Sequence, residues 1–446
     1  MHRYISSTKA EQEEMLKSIG ANDIEDLFSD IPKDLRFDGE LQIGEPMSEL
    51  EIRKKLGGMA KKNDSDLVCF LGAGAYDHFI PGVIDHMALR QEFFTAYTPY
   101  QPEVSQGTLT AIFEFQTMIS NLTGMEVTNA SMYDGPTATS EAVAMACDQA
   151  RRDKIVVSAT LGEDIIKVIK TNCEIKDIEV IVAPMKDGVT DIEATKELMT
   201  KEVAGLVVKS PNFFGILEDL DELEKVAHTD KKQLFIVNTD PIALGLIKRP
   251  GDCGADIVVG EGQSLGIPLS FGGPYLGFFS TTKKLVRKIP GRIVGMTEDN
   301  DGNRGLVLTL QAREQHIRRY KATSNICSNQ GLIMLMATIY LSTMGKKGLR
   351  EVAMQSTQKA HYAFNKLTES GKFKPLFPGK PFFQEFALTG DIDIKKLNEK
   401  LLENGILGGY ELGKDYKEYE NGVLICVTEK RTKEEIDELA RIMEAI

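Results

Sequence analysis

The chain has 446 residues, 42% of them hydrophobic and 27% charged. That is the balance of an ordinary soluble globular protein, long enough for two packed units and a terminal arm. A formal charge of −13 argues against wrapping a polyanion, because phosphate backbones are held by clustered Lys and Arg, and no nucleic-acid partner is expected.

No run reaches the length of a membrane span. The opening MHRYISSTKAEQEEMLKSIG lacks both the apolar core of a signal peptide and the Arg-rich, acid-poor texture of a transit peptide. A cytoplasmic location without membrane attachment is therefore expected. The six cysteines lie far apart with no CxxC spacing, as befits reduced thiols, and the six histidines form no HxxxH or HExxH, so no metal site is expected.

Residues 1–65 read as a charged helical arm, with Ser7 and Thr8 as candidate N-caps and Gly20 as a stop. The arm has too little apolar surface to stand alone and is expected to lie across another unit or subunit. From Leu67 onward, short β-rich runs alternate with helical ones: LVCFL (67–71), KIVVS (154–158), IEVIVAP (178–184), GLVVKSP (205–211), QLFIVN (233–238), ADIVVG (255–260) and YLGFFS (275–280). Strands apolar along their whole length, separated by amphipathic stretches such as 162–173, 192–201 and 220–228, predict a mainly parallel sheet covered on both faces, an α/β domain over 66–324. The last part, 325–446, opens with a long helical pattern (325–344). It continues with a helix near 348–370, a strand at FFQEFAL, a helix at 393–404, a strand at GVLICVT and a helix from Lys433, the order of a smaller α+β domain.

Two stretches have the makings of a ligand site. YDGPTATSEAVAMAC (133–147) is a turn with Gly135, Pro136 and the hydroxyls of Thr137, Thr139 and Ser140, followed by a small-residue helix. Its free N–H groups and positive dipole end can hold a phosphate, although the same residues also make an ordinary well-capped helix. QLFIVNTDPIALGL (233–246) places Asp240 at the carboxyl edge of a buried strand, where α/β sheets bind ligands. An aspartate there serves equally as a cap or turn former.

Longer matches carry a family resemblance. FLGAGAYDHFIPGVIDHM (70–87), FFTAYTPYQPEVSQGTLTAIFEFQTMISNLTG (93–124), VVKSPNFFGILED (207–219), SLGIPLSFGGP (264–274) and REQHIRRYKATSNICSNQGL (313–332) together resemble the glycine decarboxylase (P-protein) family of the glycine cleavage system. The likeness covers the whole chain and follows the α subunit of the split, two-subunit form. It implies an aspartate-aminotransferase-like architecture, pyridoxal-phosphate fold type I, in agreement with the α/β plus α+β reading.

In catalytic relatives of that fold, a Schiff-base lysine follows the pyridine-facing aspartate by a couple of dozen residues, on the turn after the next strand. Counting from Asp240 reaches GEGQSLG, where the catalytic half of the family is expected to read His-Lys-Thr. Alignment through Gly272, Gly273 and Pro274 puts Gln263 at the lysine position. Lys248 lies only eight residues beyond Asp240, while Lys283 and Lys284 lie more than forty beyond. An amide cannot form an imine or shuttle protons as an amine can.

The resemblance therefore implies that pyridoxal phosphate is carried by a β subunit in an α2β2 assembly, and that this chain lends residues to the partner's site. AYTPYQPEVSQG (96–107) offers Tyr97, Tyr100 and Gln101 to a substrate carboxylate or a ring, ahead of a helix that Ser105 can cap. KATSNICSNQG (321–331) offers Thr323, Ser324 and Asn325, placed either to cap the long helix or to contact the partner's phosphate. His316 lies among Arg313, Arg318, Arg319 and Lys321, an arrangement more typical of a solvated helix face than of a proton carrier. FLGAGAYDHF (70–79) reads as a tight interface turn.

The implied reaction is the decarboxylation of glycine, with release of carbon dioxide and transfer of the aminomethyl group to the lipoyl group of H-protein. Two rivals are an independent pyridoxal enzyme, such as an aminotransferase or desulfurase, and a purely structural subunit.

Overall fold

The computed structural model describes residues 4–37 and 39–446. It divides into two compact units, one ending at Ser65 and one spanning Asp66–Ile446. The first contains the helices Lys9–Ser18 and Glu49–Ala60. Of the two predicted caps, Thr8 is the one used: its hydroxyl accepts the Glu11 N–H, and its own N–H donates to the Glu11 carboxylate at 2.6 Å. Gly20 follows this helix in left-handed backbone, as a stop should. Neither helix buries a residue, and Leu50, Ile52, Leu56 and Met59 are exposed.

The second unit is built on a seven-stranded sheet of β1 (Val127–Thr128), β2 (Lys154–Ser158), β3 (Glu179–Ala183), β4 (Val203–Lys209), β5 (Leu234–Asn238), β6 (Ile257–Glu261) and β7 (Gly277–Thr281). The spatial order is β1-β7-β6-β5-β4-β2-β3. Strands β6, β5, β4, β2 and β3 are mutually parallel, while β7 runs antiparallel to both β6 and β1. Every residue of β4, β5 and β7 is buried, as the unbroken apolar runs predict.

Successive residues face opposite cores. Val156, Phe235 and Val258 pack with Leu109, Ile112 and Phe115 of the helix Gln106–Thr123. Val157, Ile236 and Val259 pack with Val143 and Ala146 of the helix Gly135–Ala150 and with Ile166 and Ile169 of the helix Glu163–Ile175. This two-sided burial is what makes the carboxyl ends of β4, β5 and β6 a rigid platform.

The C-terminal part carries an antiparallel four-stranded sheet in the order Lys374–Pro375, Glu385–Thr389, Gly422–Cys426, Tyr410–Glu411, backed by the helices Ile394–Glu403 and Lys433–Ala445.

Three expectations need correction. The run 67–71 does not join the large sheet: only Val68–Cys69 is extended, and it pairs in parallel with Ile406–Leu407. The long helix begins at Gly331 rather than 325 and runs to Thr368, because the two predicted helices abut at Gly345, whose backbone (φ 59°, ψ −174°) interrupts the helical path. A ribbon of Ile293–Glu298 against Arg304–Thr309 was not expected, although the Asp301-Gly302 pair at its turn is a hairpin signal.

Candidate functional site

Strands β4, β5 and β6 end around a cavity of about 370 Å³ lined by Tyr76, Asp134, Lys209, Asp240 and Glu261, among others. Asp240 stands two residues past β5, as expected, and is buried. Its carboxylate accepts from the Ile242 N–H at 2.9 Å and from the Gln384 amide at 3.0 Å. Burial pushes its pKa up.

Gln263 is 2% exposed and fully engaged. Its Oε1 accepts from the Tyr76 N–H at 2.8 Å, and its Nε2 donates to the carbonyls of Tyr76 at 3.0 Å and Ile267 at 2.7 Å. The amide thus ties the 70–79 segment to the turn after β6. That segment is anchored a second time by Glu385, which accepts from the Ala73 N–H at 2.6 Å and the Tyr76 hydroxyl at 2.7 Å.

The expected free N–H groups at the start of the helix Gly135–Ala150 are not free. The Gly135 N–H donates to Glu261 Oε2 at 2.8 Å, and the Thr137 N–H donates to Asp134 Oδ1 at 2.8 Å. The hydroxyls are engaged as well: Thr137 with Asp134, Thr139 with the Gly135 carbonyl and Asn238, and Ser140 with Asn172. Two carboxylates of the chain itself occupy the place where an anion would sit, which the helix dipole favours.

Glu261 also accepts from the N–H groups of Gln263 and Leu276, each at 3.0 Å. These donors favour its ionised form, yet desolvation dominates and raises its pKa to about 8. Burial likewise lifts Glu385 to about 7. Both groups hold protons in the folded chain at pH values where they ionise in the unfolded one. Their contribution to stability is therefore complete below the ordinary carboxyl range and falls as pH rises toward 7 to 8, by up to about 1.4 kcal/mol per pH unit for each group. Urea unfolding between these limits should show that decline, and Glu261→Gln should flatten it.

Lys209, the last residue of β4, is a group that sequence reasoning missed. It is buried and lines the cavity, and among the described residues its ammonium has no hydrogen-bond partner. Burial lowers its pKa, opposed by Glu385, Asp240 and Glu261. A charged residue closing an otherwise apolar strand was the available signal.

A second cluster joins the two candidate loops. Tyr97, Tyr100 and Gln101 are exposed, and Thr98 meets Ser328 at 3.3 Å across a groove of about 230 Å³. Arg292, 2% exposed, donates to the Tyr100 hydroxyl at 2.9 Å and reaches Cys327 Sγ at 3.4 Å, with its guanidinium over the Tyr100 ring. The Tyr100 hydroxyl beside Cys327, helped by the Arg292 charge, holds that thiol below its usual range. Neither Arg292 nor Cys327 was singled out from the sequence, although an arginine inside the apolar stretch 289–294 is a marked feature.

Other expectations for these loops fail locally. Ser105 makes no capping bond to the helix that follows it. Thr323, Ser324 and Asn325 do not cap the long helix, whose N-cap position is Gln330. Ser324 instead donates to Glu141 at 2.8 Å and accepts from the Ile326 N–H. His316 is half-exposed, 3.7 Å from Glu314.

A doubly covered, mainly parallel sheet with a smaller antiparallel domain, and an aspartate at the carboxyl end of a central strand, define the aspartate-aminotransferase-like class, pyridoxal-phosphate fold type I. The chain superposes with a TM-score of 0.69 on a Lactobacillus brevis glutamate decarboxylase (15% identity, 93% and 96% of the two chains). A sphingosine-1-phosphate lyase from Burkholderia pseudomallei gives a TM-score of 0.68 (14% identity, 93% and 94%), a likeness of fold alone.

A crystal structure described as glycine decarboxylase (P-protein) of the glycine cleavage system, in inhibitor-bound form, matches at a TM-score of 0.90, with 42% identity over the whole of both chains. The family model described as "Glycine cleavage system P-protein" matches residues 2–443, and the chain belongs to this family. It is 52% identical over 439 residues (98% of this chain, 97% of the relative) to a probable glycine dehydrogenase (decarboxylating) subunit 1 of Geobacillus sp. (strain WCH70). It is 51% identical over the full length of both chains to one of Bacillus cereus (strain B4264). Its role is that of a glycine dehydrogenase (decarboxylating) subunit. Among the described residues no helix is long and apolar enough to cross a membrane.

Proposed function

We propose that this chain is the α subunit that completes a glycine decarboxylase site whose pyridoxal phosphate is held by a β subunit in a cytoplasmic α2β2 assembly. The observation that carries the reading is a cavity whose helix N-terminus and candidate lysine position are taken up by the chain's own side chains. Its residues do not fit a covalently held pyridoxal phosphate, because Gln263 stands in the lysine position with both amide N–H groups and its oxygen hydrogen-bonded, and Glu261 and Asp134 occupy the helix N-terminus that would take the phosphate. On the partner, the cofactor supplies the electron sink that lets glycine lose carbon dioxide before the aminomethyl group passes to the lipoyl group of H-protein.

This chain lends hydrogen-bonding groups. Tyr100, fixed by Arg292, and Gln101 face outward with Tyr97 on a loop that also exposes Val104. Exposed aromatic and aliphatic side chains gathered around a polar cluster are what a partner subunit covers. Thr323, Ser324 and Asn325 are assigned to the neighbourhood of the partner's phosphate on the same reading.

Co-expression with the β subunit tests it. Exchange between carbon dioxide and the glycine carboxyl should appear with the pair and with neither chain alone. Tyr100→Phe and Gln101→Ala should each lower it about tenfold or more with assembly intact. Unchanged exchange in both variants would favour a purely structural subunit. One observation favours the independent-enzyme rival: Lys209 is a buried amine in the same cavity as Asp240.

A further inference from the structure

A cleft of about 860 Å³ opens between the carboxyl ends of the helices Gly135–Ala150 and Glu163–Ile175 and the segment leading into the 321–331 loop. Its lining is basic in a chain that is strongly acidic overall. Some of the cations serve the fold. Arg152 donates to the Val203 carbonyl and pairs with Asp230 at 2.8 Å, Arg313 donates to backbone carbonyls including that of Gly291, and Lys288 pairs with Asp148.

Arg151, Lys176, Arg287 and Arg318 are different. All four are exposed, and among the described residues none of their side chains makes a hydrogen bond or salt bridge. Arg151, Lys176 and Arg318 also complement the carboxyl ends of their helices, but Arg287 has no such task.

We propose that this cleft is the docking face for the acidic surface of the protein that carries the lipoyl acceptor, an inference that rests on the reading under Proposed function. The unpaired cations come from four separate segments and none is buried, which suits an extended carboxylate-bearing face rather than a small anion enclosed by desolvated donors. A permanent subunit interface is more apolar, and none of the large exposed apolar side chains is among the residues lining the cleft, although Ile175, Ile317 and Tyr320 adjoin Lys176, Arg318 and Lys321 in the chain. A carrier must also bind and leave, and charge guidance provides fast, salt-sensitive encounter. Ala322 and Thr323 line the cleft, a few residues before Cys327 of the Arg292–Tyr100 cluster, so the cleft and the candidate site share one loop.

The test uses the assembled pair with two acceptors, the lipoylated carrier and free lipoamide. Combined Arg151→Glu, Lys176→Glu and Arg287→Glu should raise the KM for the carrier about tenfold or more and flatten its dependence on salt, leaving turnover with free lipoamide unchanged. An unchanged KM, an equal loss with lipoamide, or failure of the pair to assemble would each overturn the docking face, the last by making the cleft a subunit interface. A wild-type pair inactive with both acceptors would instead sink the decarboxylase reading. Calorimetric binding of the carrier, which needs no turnover, still decides the docking face in that case.

Discussion

Replacing Arg292 by methionine is expected to destabilise the chain by about 3–5 kcal/mol, the cost of leaving one half of a buried ion pair behind. Arg292 and Glu314 are 2% and 7% exposed at the side chain, with Nε 3.6 Å from the carboxylate. Methionine fills the same space but leaves Glu314 desolvated, with the half-exposed His316 and the adjacent Arg313 as its remaining cationic neighbours. Equilibrium unfolding in urea reads the loss.

The same substitution also removes the donor to Tyr100 and the positive charge near Cys327. The thiol should then titrate higher, and its alkylation by iodoacetamide near neutral pH should slow. Arg292→Lys should restore the charge, but one ammonium cannot stand both beside Glu314, as Nε does, and at Tyr100 and Cys327, as Nη2 does, and so it should recover only part of either effect. Unaltered stability and alkylation in the methionine variant would show that Arg292 does not organise the two loops.

The second large effect is expected at Gln263. Changing it to alanine removes three hydrogen bonds and leaves the Tyr76 N–H and the Ile267 carbonyl buried without partners, while the Tyr76 carbonyl keeps the His78 N–H; this should cost about 3 kcal/mol. Gln263→Lys introduces the residue type that the family resemblance implies for the catalytic half, but not the rest of its site. The ammonium can donate to the Tyr76 and Ile267 carbonyls, yet it cannot accept from the Tyr76 N–H. The helix N-terminus would still be filled by Glu261 and Asp134. This variant should be less stable than wild type and should not decarboxylate glycine alone. A gain of that activity would mean that the cavity is one residue away from a working cofactor site.

The mainly parallel sheet was legible because β4 and β5 are apolar at every position but their last, Lys209 and Asn238, a pattern that two-sided burial explains. Asp240 was legible as a polar residue at the end of such a strand. The segment 67–71 has the same composition but pairs with Ile406–Leu407, more than three hundred residues away, and no local pattern encodes that choice.

The filling of the anion cradle was hidden for a related reason. Glu261 is only the residue after an apolar run until β6 is laid beside the start of the helix Gly135–Ala150 and its carboxylate meets the Gly135 N–H. Lys209 and Arg292 were visible as charges in apolar surroundings. Their meaning depended on Asp240, Glu385 and Glu314, which the fold brings in from other parts of the chain. Tyr100 was singled out as a group pointing to a partner, and the guanidinium that fixes it became apparent only in three dimensions.

Borohydride reduction of the assembled pair in the presence of pyridoxal phosphate, followed by peptide mapping of both chains, tests the central claim most directly. The reduced cofactor should be found on a lysine of the β subunit, with this chain unlabelled. A pyridoxyl adduct on this chain, above all at Lys209, would contradict the account and make the cavity between β4, β5 and β6 a cofactor site in its own right.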